Sequence, residues 1–438
     1  MRRCRILVVF LFIILLSGCS MMTVDKLYQL PKRSETYNNL QTAINNAMAD
    51  LSYCAPLSGE NQQTVQIADL NGDGENEYLL FAKGTQEKPL KILVFQNVGG
   101  VFSMINAVEA NGTAYDVVEY VNMDARPGVE LIVGRQLNEQ MLRSATVYTF
   151  IDGVLQQLVS VNYRKFLTTD LNNDHNSELF VLRPGASETD VGVAALYAID
   201  EGNMRLFNEV PMSQAANKLK RIITGKLDGG KTAVFAASAI GDSALITDIY
   251  TVLDDKLVNV SFSNDSGTSI RTMRDFYVFA DDVDADGVVE LPSLIPMEPL
   301  PGTMSEDVHH LIRWYSVTPE GAEVDKMYTY HNFVGGWYMQ LHSSWAQRLV
   351  VLHQGIQTDL YLWNEDFTST QKLMTVYAFS GENREENGLS DGRIILHKSE
   401  SVVYAALLGE MAAQYGFSPE NAVYSFRLIL KDWKTGET

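Results

Sequence analysis

The sequence predicts a mainly β protein, a β-propeller of five blades followed by a small α+β domain. Three observations predict it. A nine-residue Asp/Asn-rich pattern recurs along the first three quarters of the chain. An apolar, strand-like run follows each copy at once. Hairpin turn signals then punctuate the residues between copies.

The copies are DLNGDGENE at 69–77, NMDARPGVE at 122–130, DLNNDHNSE at 170–178 and DVDADGVVE at 282–290. They start about fifty residues apart, with one interval about twice that. A shortened copy, KLDGGKTAVF, divides the long interval; it keeps Asp228 and two glycines but has Thr232 where the closing carboxylate belongs. The apolar runs are YLLFA after Glu77, LIVG after Glu130, LFVL after Glu178 and AVFAA after Thr232. KILVFQ, VFSMI, ATVYTFI, VLQQLV and AALYAI are further strand candidates. Gly99-Gly100, Asp152-Gly153 and Glu201-Gly202 supply the hairpin turns between them. Three or four short strands per unit, with a turn at one fixed place, is the pattern of propeller blades. Five units argue for five blades over residues 60–332, and QTVQIA, just before the first loop, is expected to pair with the last blade and close the ring.

The residue types in the loops point to a hard divalent cation. Calcium takes six to eight oxygen ligands, and alternate residues of a tight loop can aim oxygens inward while glycine turns the backbone. The expected ligand sets are Asp69, Asn71, Asp73 and Glu77; Asp170, Asn172, Asp174 and Glu178; and Asp282, Asp284, Asp286 and Glu290. The first and last of these are complete and carry Gly74 and Gly287 at the sixth position, whereas the middle one has His175 there. Arg126 sits at the fifth position of the loop at Asn122 and would repel a cation, so that loop and the one at Asp228 are expected to be metal-free turns.

VQIADLNGDGENEYLLF resembles the FG-GAP/VCBS-type repeat of integrin α-chain propellers and bacterial surface proteins. The resemblance covers roughly residues 64–330 in five imperfect copies. It implies a propeller whose loops hold calcium structurally and whose blades present a recognition surface; it does not imply an enzyme. The family loop usually closes in aspartate, and every preserved copy here closes in glutamate.

Arg2, Arg3 and Arg5 precede the apolar run ILVVFLFIILL, too short to span a bilayer as an ordinary helix, and Leu16-Ser17-Gly18-Cys19 follows. The run reads as a secretion signal over 1–18. Its ending resembles the lipobox of bacterial lipoproteins, which implies lipid attachment at Cys19, a tether over 19–35 and an extracytoplasmic, membrane-anchored location. Residues 36–59 hold an amphipathic helix, with Leu40, Ile44, Met48 and Leu51 at helical spacing, and a lead-in.

Past residue 332 the Asp-rich pattern stops. TDLYLW, LMTVYAF, GRIILHK and SVVYAALL read as strands, and Ser418-Pro419 opens a helix expected to carry Ala422, Phe426, Ile429 and Trp433 on one face. Residues 333–438 therefore form the α+β domain, which resembles the C-terminal module of clostridial VCBS-repeat lipoproteins.

The chain has 438 residues and a formal net charge of −20, which disfavours nucleic acid as a partner. Once Cys4 leaves with the signal and Cys19 is lipidated, Cys54 is the one thiol left, so no intramolecular disulfide is possible. GxSxG, HExxH, P-loop and CxxC motifs are absent from the sequence. The expected role is a non-catalytic binding or scaffold module with a protein or glycan ligand. The alternative is a surface hydrolase of glycans or peptidoglycan.

Overall fold

The computed structural model describes residues 35–138, 142–276, 278–297 and 310–430. The signal, Cys19 and almost all of the tether lie outside them. The described chain is mainly β and forms six separate antiparallel sheets.

The first sheet holds β1 (Ser52–Tyr53), β2 (Val65–Ala68), β3 (Glu77–Lys83), β4 (Leu90–Val98) and β5 (Val101–Ala110). The second holds β6 (Ala114–Val121), β7 (Glu130–Gln136), β8 (Arg143–Ile151) and β9 (Val154–Tyr163). The third runs β10 (Lys165–Thr169), β11 (Glu178–Arg183), β12 (Val193–Asp200) and β13 (Asn203–Pro211). The fourth runs β14 (Leu219–Lys226), β15 (Thr232–Ile240), β16 (Ala244–Leu253) and β17 (Lys256–Asn259). In the fifth, the first strand shrinks to a single bridge between Asp281 and Glu290. The rest of that sheet is β18 (Leu291–Pro296), β19 (His310–Val317), β20 (Glu323–Asn332) and β21 (Trp337–Leu341). The sixth holds β22 (Leu349–Gln354), β23 (Gln357–Trp363), β24 (Thr370–Ser380), β25 (Ile394–Lys398) and β26 (Val402–Leu408). A last strand, β27 (Phe426–Leu428), returns to pair with β21 in the fifth sheet.

Local chemistry explains the repetition. The hairpins β4–β5, β8–β9, β12–β13 and β16–β17 each turn on two residues with positive φ: Gly99-Gly100, Asp152-Gly153, Glu201-Gly202 and Asp254-Asp255. Such turns match the right-handed twist of the strands they join. The pairs β4–β5, β8–β9, β12–β13 and β19–β20 share a bulge before an aromatic residue, at Val94/Phe95, Val147/Tyr148, Leu196/Tyr197 and Trp314/Tyr315. The sixth sheet repeats this bulge at Leu360/Tyr361, beyond the expected domain boundary.

Each sheet packs on the next through alternate side chains, because successive strand residues face opposite ways. Leu79, Phe81, Ile92 and Val94 of the first sheet meet Leu131, Val133, Tyr148 and Phe150 of the second. Second and third join through Ile132, Val147, Phe166 and Leu179, and third and fourth through Phe180, Leu196, Val234 and Tyr250. Fourth and fifth meet at Phe235, Ile249, Leu291 and Tyr315, and fifth and sixth at Tyr330, Trp337, Leu360 and Met374. Trp314 and Trp337 are core residues, among the largest fully buried side chains.

Two sequence expectations are corrected. QTVQIA does not pair with the last sheet: Val65–Ala68 pairs with β3 through its backbone, and the Gln66 amide braces the lead-in by donating to the carbonyls of Asn61 and Gln63. The outer face of the first sheet, with Leu80, Leu93 and Phe95, is covered by Ile44, Leu40 and Met48 at or just beyond helix α1 (Glu35–Ala47). Among the described residues no strand pairing joins the first sheet to the fifth or sixth. The final helix is also shorter than its periodicity suggested. After α2 (Arg384–Leu389), helix α3 (Pro419–Ser425) starts as expected, the Ser418 hydroxyl accepting from the Asn421 N–H. It stops before Phe426, because the open edge of β21 offers that residue a strand partner and a buried seat. Trp433 lies outside the described residues.

Candidate metal centre

Each Asp-rich loop carries the chain from the first to the second strand of its unit, and the loops abut in a row. Gly72 and Gly128 make this contact possible between the first two: a Cβ on Gly128 would lie 2.4 Å from the Leu70 carbonyl oxygen, and one on Gly72 2.5 Å from the Gly128 nitrogen. The Ser177 N–H donates to the Asn122 carbonyl, Asn173 to the Thr232 hydroxyl, and the Lys226 N–H to the Gly287 carbonyl.

The closing glutamate has a role that spacing alone did not reveal. In all four full loops its Oε2 accepts the backbone N–H of the second loop residue, from Leu70, Met123, Leu171 and Val283, at 3.0, 3.0, 2.7 and 3.0 Å. In the shortened loop the Leu227 N–H donates instead to the Lys231 carbonyl at 2.8 Å, which is why Thr232 can replace the acid. Glu77, Glu178 and Glu290 are buried at this position, with 0%, 1% and 0% exposure. At Glu77 and Glu290 the second oxygen, Oε1, is buried with no hydrogen-bond partner. A buried carboxylate oxygen without a donor is costly, and a cation would satisfy it.

The aspartates hold the backbone in the same way in three loops. Asp69, Asp170 and Asp282 each accept, through Oδ2, the N–H of the sixth residue: Gly74, His175 and Gly287, at 2.9, 3.0 and 2.9 Å. The fourth and sixth residues take positive φ in each case, including Asn173, His175 and Ala285. His175 therefore follows the glycine path at φ 75°. The absent glycine strains this loop without changing its shape.

Two loops draw three acidic oxygens within 4.8 Å of one another: Asp170, Asp174 and Glu178, and Asp282, Asp284 and Glu290. The loop at Asp69 has the same residue types but is not drawn in as tightly, and its Asn71 amide donates to Asp73 Oδ2 at 2.9 Å. Asn172 makes the same bond to Asp174. In the loop at Asp282 an acid, Asp284, replaces that amide and joins Asp282 and Glu290 in the converging set. Burial, outweighing the backbone hydrogen bond, pushes the carboxyls of Glu178 and Glu290 each up to about 7, with the neighbouring aspartates adding to the rise. Glu77 is raised by the same causes.

The two loops expected to lack metal hold protein cations instead. The Arg126 guanidinium lies 2.6 Å from Asp124 Oδ2 and 3.4 Å from Glu130 Oε1, and donates to the Thr149 hydroxyl at 3.2 Å. Glu130 Oε1, unlike that of Glu77 or Glu290, is thus partnered. Asp228 accepts from the Ser316 hydroxyl and pairs with Lys326 at 3.3 Å, which lower its carboxyl. Lys326 also reaches to 3.7 Å from Asp286 Oδ2. Thr149, Ser316 and Lys326 lie 19 or more residues from these loops, and no local pattern announced them.

Two acids outside the nine-residue pattern also pair with protein cations. Asp281 is largely buried and pairs with Arg221 at 3.5 Å. Glu385 lies in α2 and pairs with Lys398. Among the described residues no helix is long and apolar enough to cross a membrane.

No protein-family profile matches the chain, and no curated protein matches its sequence. Solved structures with some likeness include the exotype rhamnogalacturonan lyase YesX, at 13% identity and TM-score 0.29, covering 75% of this chain and 72% of that one. A protein from Lactobacillus plantarum aligns at 10% identity and TM-score 0.26, over 73% and 86%. The Bacillus licheniformis rhamnogalacturonan lyase PL11 aligns at 12% and 0.26, over 74% and 72%. At these scores the likeness bears on neither topology nor activity.

Proposed function

We propose that this chain is an exported lipoprotein whose five loop-bearing sheets act as propeller-type blades, a non-catalytic binding or scaffold module with calcium held structurally in its Asp-rich loops. The observation that carries the reading is the pair of buried, unpartnered oxygens, Glu77 Oε1 and Glu290 Oε1, each closing an Asp-rich loop. The donor sets suit calcium: all-oxygen, mixed carboxylate and amide, on flexible loops. Asp69, Asn71, Asp73 and Glu77 would hold one ion, Asp170, Asn172, Asp174 and Glu178 a second, and Asp282, Asp284, Asp286 and Glu290 a third. Arg126 and Lys326 supply fixed positive charge at the two remaining loops, which supports a structural rather than a catalytic use of cations. The four successive cores between the five loop-bearing sheets support the blade reading. The partner is a protein or glycan at the cell surface.

The test is thermal unfolding with and without calcium. Millimolar calcium raises the midpoint, chelator lowers it, and magnesium substitutes poorly because it demands a tighter octahedron. Asp73→Ala, Asp174→Ala and Asp286→Ala together remove the response. A wild-type midpoint indifferent to calcium and chelator refutes the metal reading. The anchor is tested separately: Cys19→Ala moves the protein from the membrane pellet to the soluble fraction, and persistence in the pellet refutes it.

A further inference from the structure

The second and third sheets meet in a cleft whose lining runs against the charge of the whole chain. The chain is strongly acidic, at −20, yet Arg143, Arg164 and Arg183 line one cleft of about 460 Å3, where Glu188 is the sole acid among the described lining residues. Strand register explains the convergence. Arg143 opens β8 and sits opposite Tyr163, the last residue of β9. Arg164 follows at the corner between the sheets, where its N–H donates to the Leu182 carbonyl at 2.7 Å, and Leu182 precedes Arg183 at the end of β11. The turn beyond is tight: a Cβ on Gly185 would lie 2.4 Å from the Val191 carbonyl oxygen, so backbone packs directly against backbone.

Internal acids do not use up these donors. Asp116 Oδ2 lies 3.4 Å from Arg143 but already accepts the Tyr163 hydroxyl at 2.5 Å. The Arg143 Nε is buried without a hydrogen-bond partner. Arg183 pairs with Glu209 through one nitrogen, Nη2, at 2.5 Å. Arg164 forms no ion pair among the described residues. A guanidinium carries five N–H donors and no acceptor, so three of them in one concavity, with Asp116 and Glu209 each engaging one nitrogen, leave a surplus of donors.

We propose that this cleft binds a small anionic ligand, one whose carboxylate or phosphate group is gripped by Arg143, Arg164 and Arg183. Planar guanidiniums match both groups bidentately, and a bound anion would accept from the N–H donors that the internal acids leave over. The site is independent of the calcium loops, since none of their ligands lines it.

Isothermal titration of the lipid-free chain in calcium-free buffer at constant ionic strength tests this, with succinate in one arm and inorganic phosphate in the other. Saturable binding in either arm is expected, and the arm that binds names the group recognised. Arg164→Gln, which breaks no ion pair, weakens that binding roughly tenfold, the scale of one charge-assisted hydrogen bond. Arg183→Gln weakens it comparably, and Arg205→Gln, on an exposed hairpin, leaves it unchanged; circular dichroism melting confirms that each variant is folded. Absence of saturable binding in both arms up to about 10 mM, or unaltered affinity in Arg164→Gln and Arg183→Gln, overturns the proposal.

Discussion

Replacing Glu290 by Gln separates the two jobs of the closing glutamate. In the wild-type chain Oε2 accepts the Val283 N–H at 3.0 Å, and Oε1 is buried with no partner. Glutamine keeps an oxygen for the Val283 N–H and removes the charge. It also places an amide where a cation would sit. In chelator the substitution removes an uncompensated buried carboxylate, because the ammonium of Lys326 is partly exposed and lies 3.7 Å from Asp286, not at Glu290 Oε1. Glu290→Gln is therefore at least as stable as wild type without calcium.

With calcium the order reverses. A ligand at a hundredfold excess over its dissociation constant stabilises the folded state by about 2.7 kcal/mol. Unfolding entropy near 2.1 cal/mol/K per residue, over about 400 residues unfolding together, gives roughly 0.8 kcal/mol per kelvin, so one site is worth about 3 °C in Tm. Differential scanning calorimetry of both proteins, in chelator and in millimolar calcium, reads this directly. The wild type gains about 3 °C more than the variant, and the two curves cross between conditions. Equal calcium gains in the two proteins would show that Glu290 is a backbone cap and nothing more.

Three further outcomes follow from other residues. Arg126→Ala leaves Asp124 and the buried Glu130 without their cation and lowers stability in chelator by about 1–2 kcal/mol, a figure reduced because the arginine is partly exposed; urea unfolding measures it, and an unchanged midpoint would show the guanidinium to be incidental. His175→Gly relieves a left-handed residue at φ 75° and raises stability by about 0.5–1 kcal/mol by the same assay; a loss would mean the imidazole is itself a needed contact. His331 is buried against Tyr338, and burial drops its pKa from 6.5 to about 3, so the folded state resists the proton that the unfolded state accepts. Its contribution is intact above pH 6.5 and declines as pH falls toward 3, by about 1.4 kcal/mol between pH 7.5 and 5.5. His331→Gln flattens that part of the stability profile, and an unaltered slope would assign it to other groups.

The strands were legible because their chemistry is local. Each expected apolar run became a strand, and Asp152-Gly153 and Glu201-Gly202 became the two-residue turns their sequence announces. The loops were legible for the same reason, since Asp69, Asp170 and Asp282 bond backbone within five residues of themselves. What the sequence hid depends on partners brought from a distance. Gln66, which accepts the Tyr120 hydroxyl of β6 and so links β2 to the second sheet, reads as any polar strand residue. Phe426 reads as a helix position until β21 offers an edge.

Glu290 and Glu130 occupy identical sequence positions and differ only in company: Arg126 and Thr149 partner Glu130 Oε1, and nothing partners Glu290 Oε1. Arg126 lies inside its loop, so the sequence could flag it as a cation. Thr149 completes that site from β8, and Lys326 reaches the loops at Asp228 and Asp286 from β20. Ligand counting therefore ranks the loop at Asp69 with the one at Asp282, whereas packing draws together the acids at Asp170 and Asp282. The residue types at Asp69 and Asp170 are the same, so a nine-residue pattern carries no record of which loop brings its acids together.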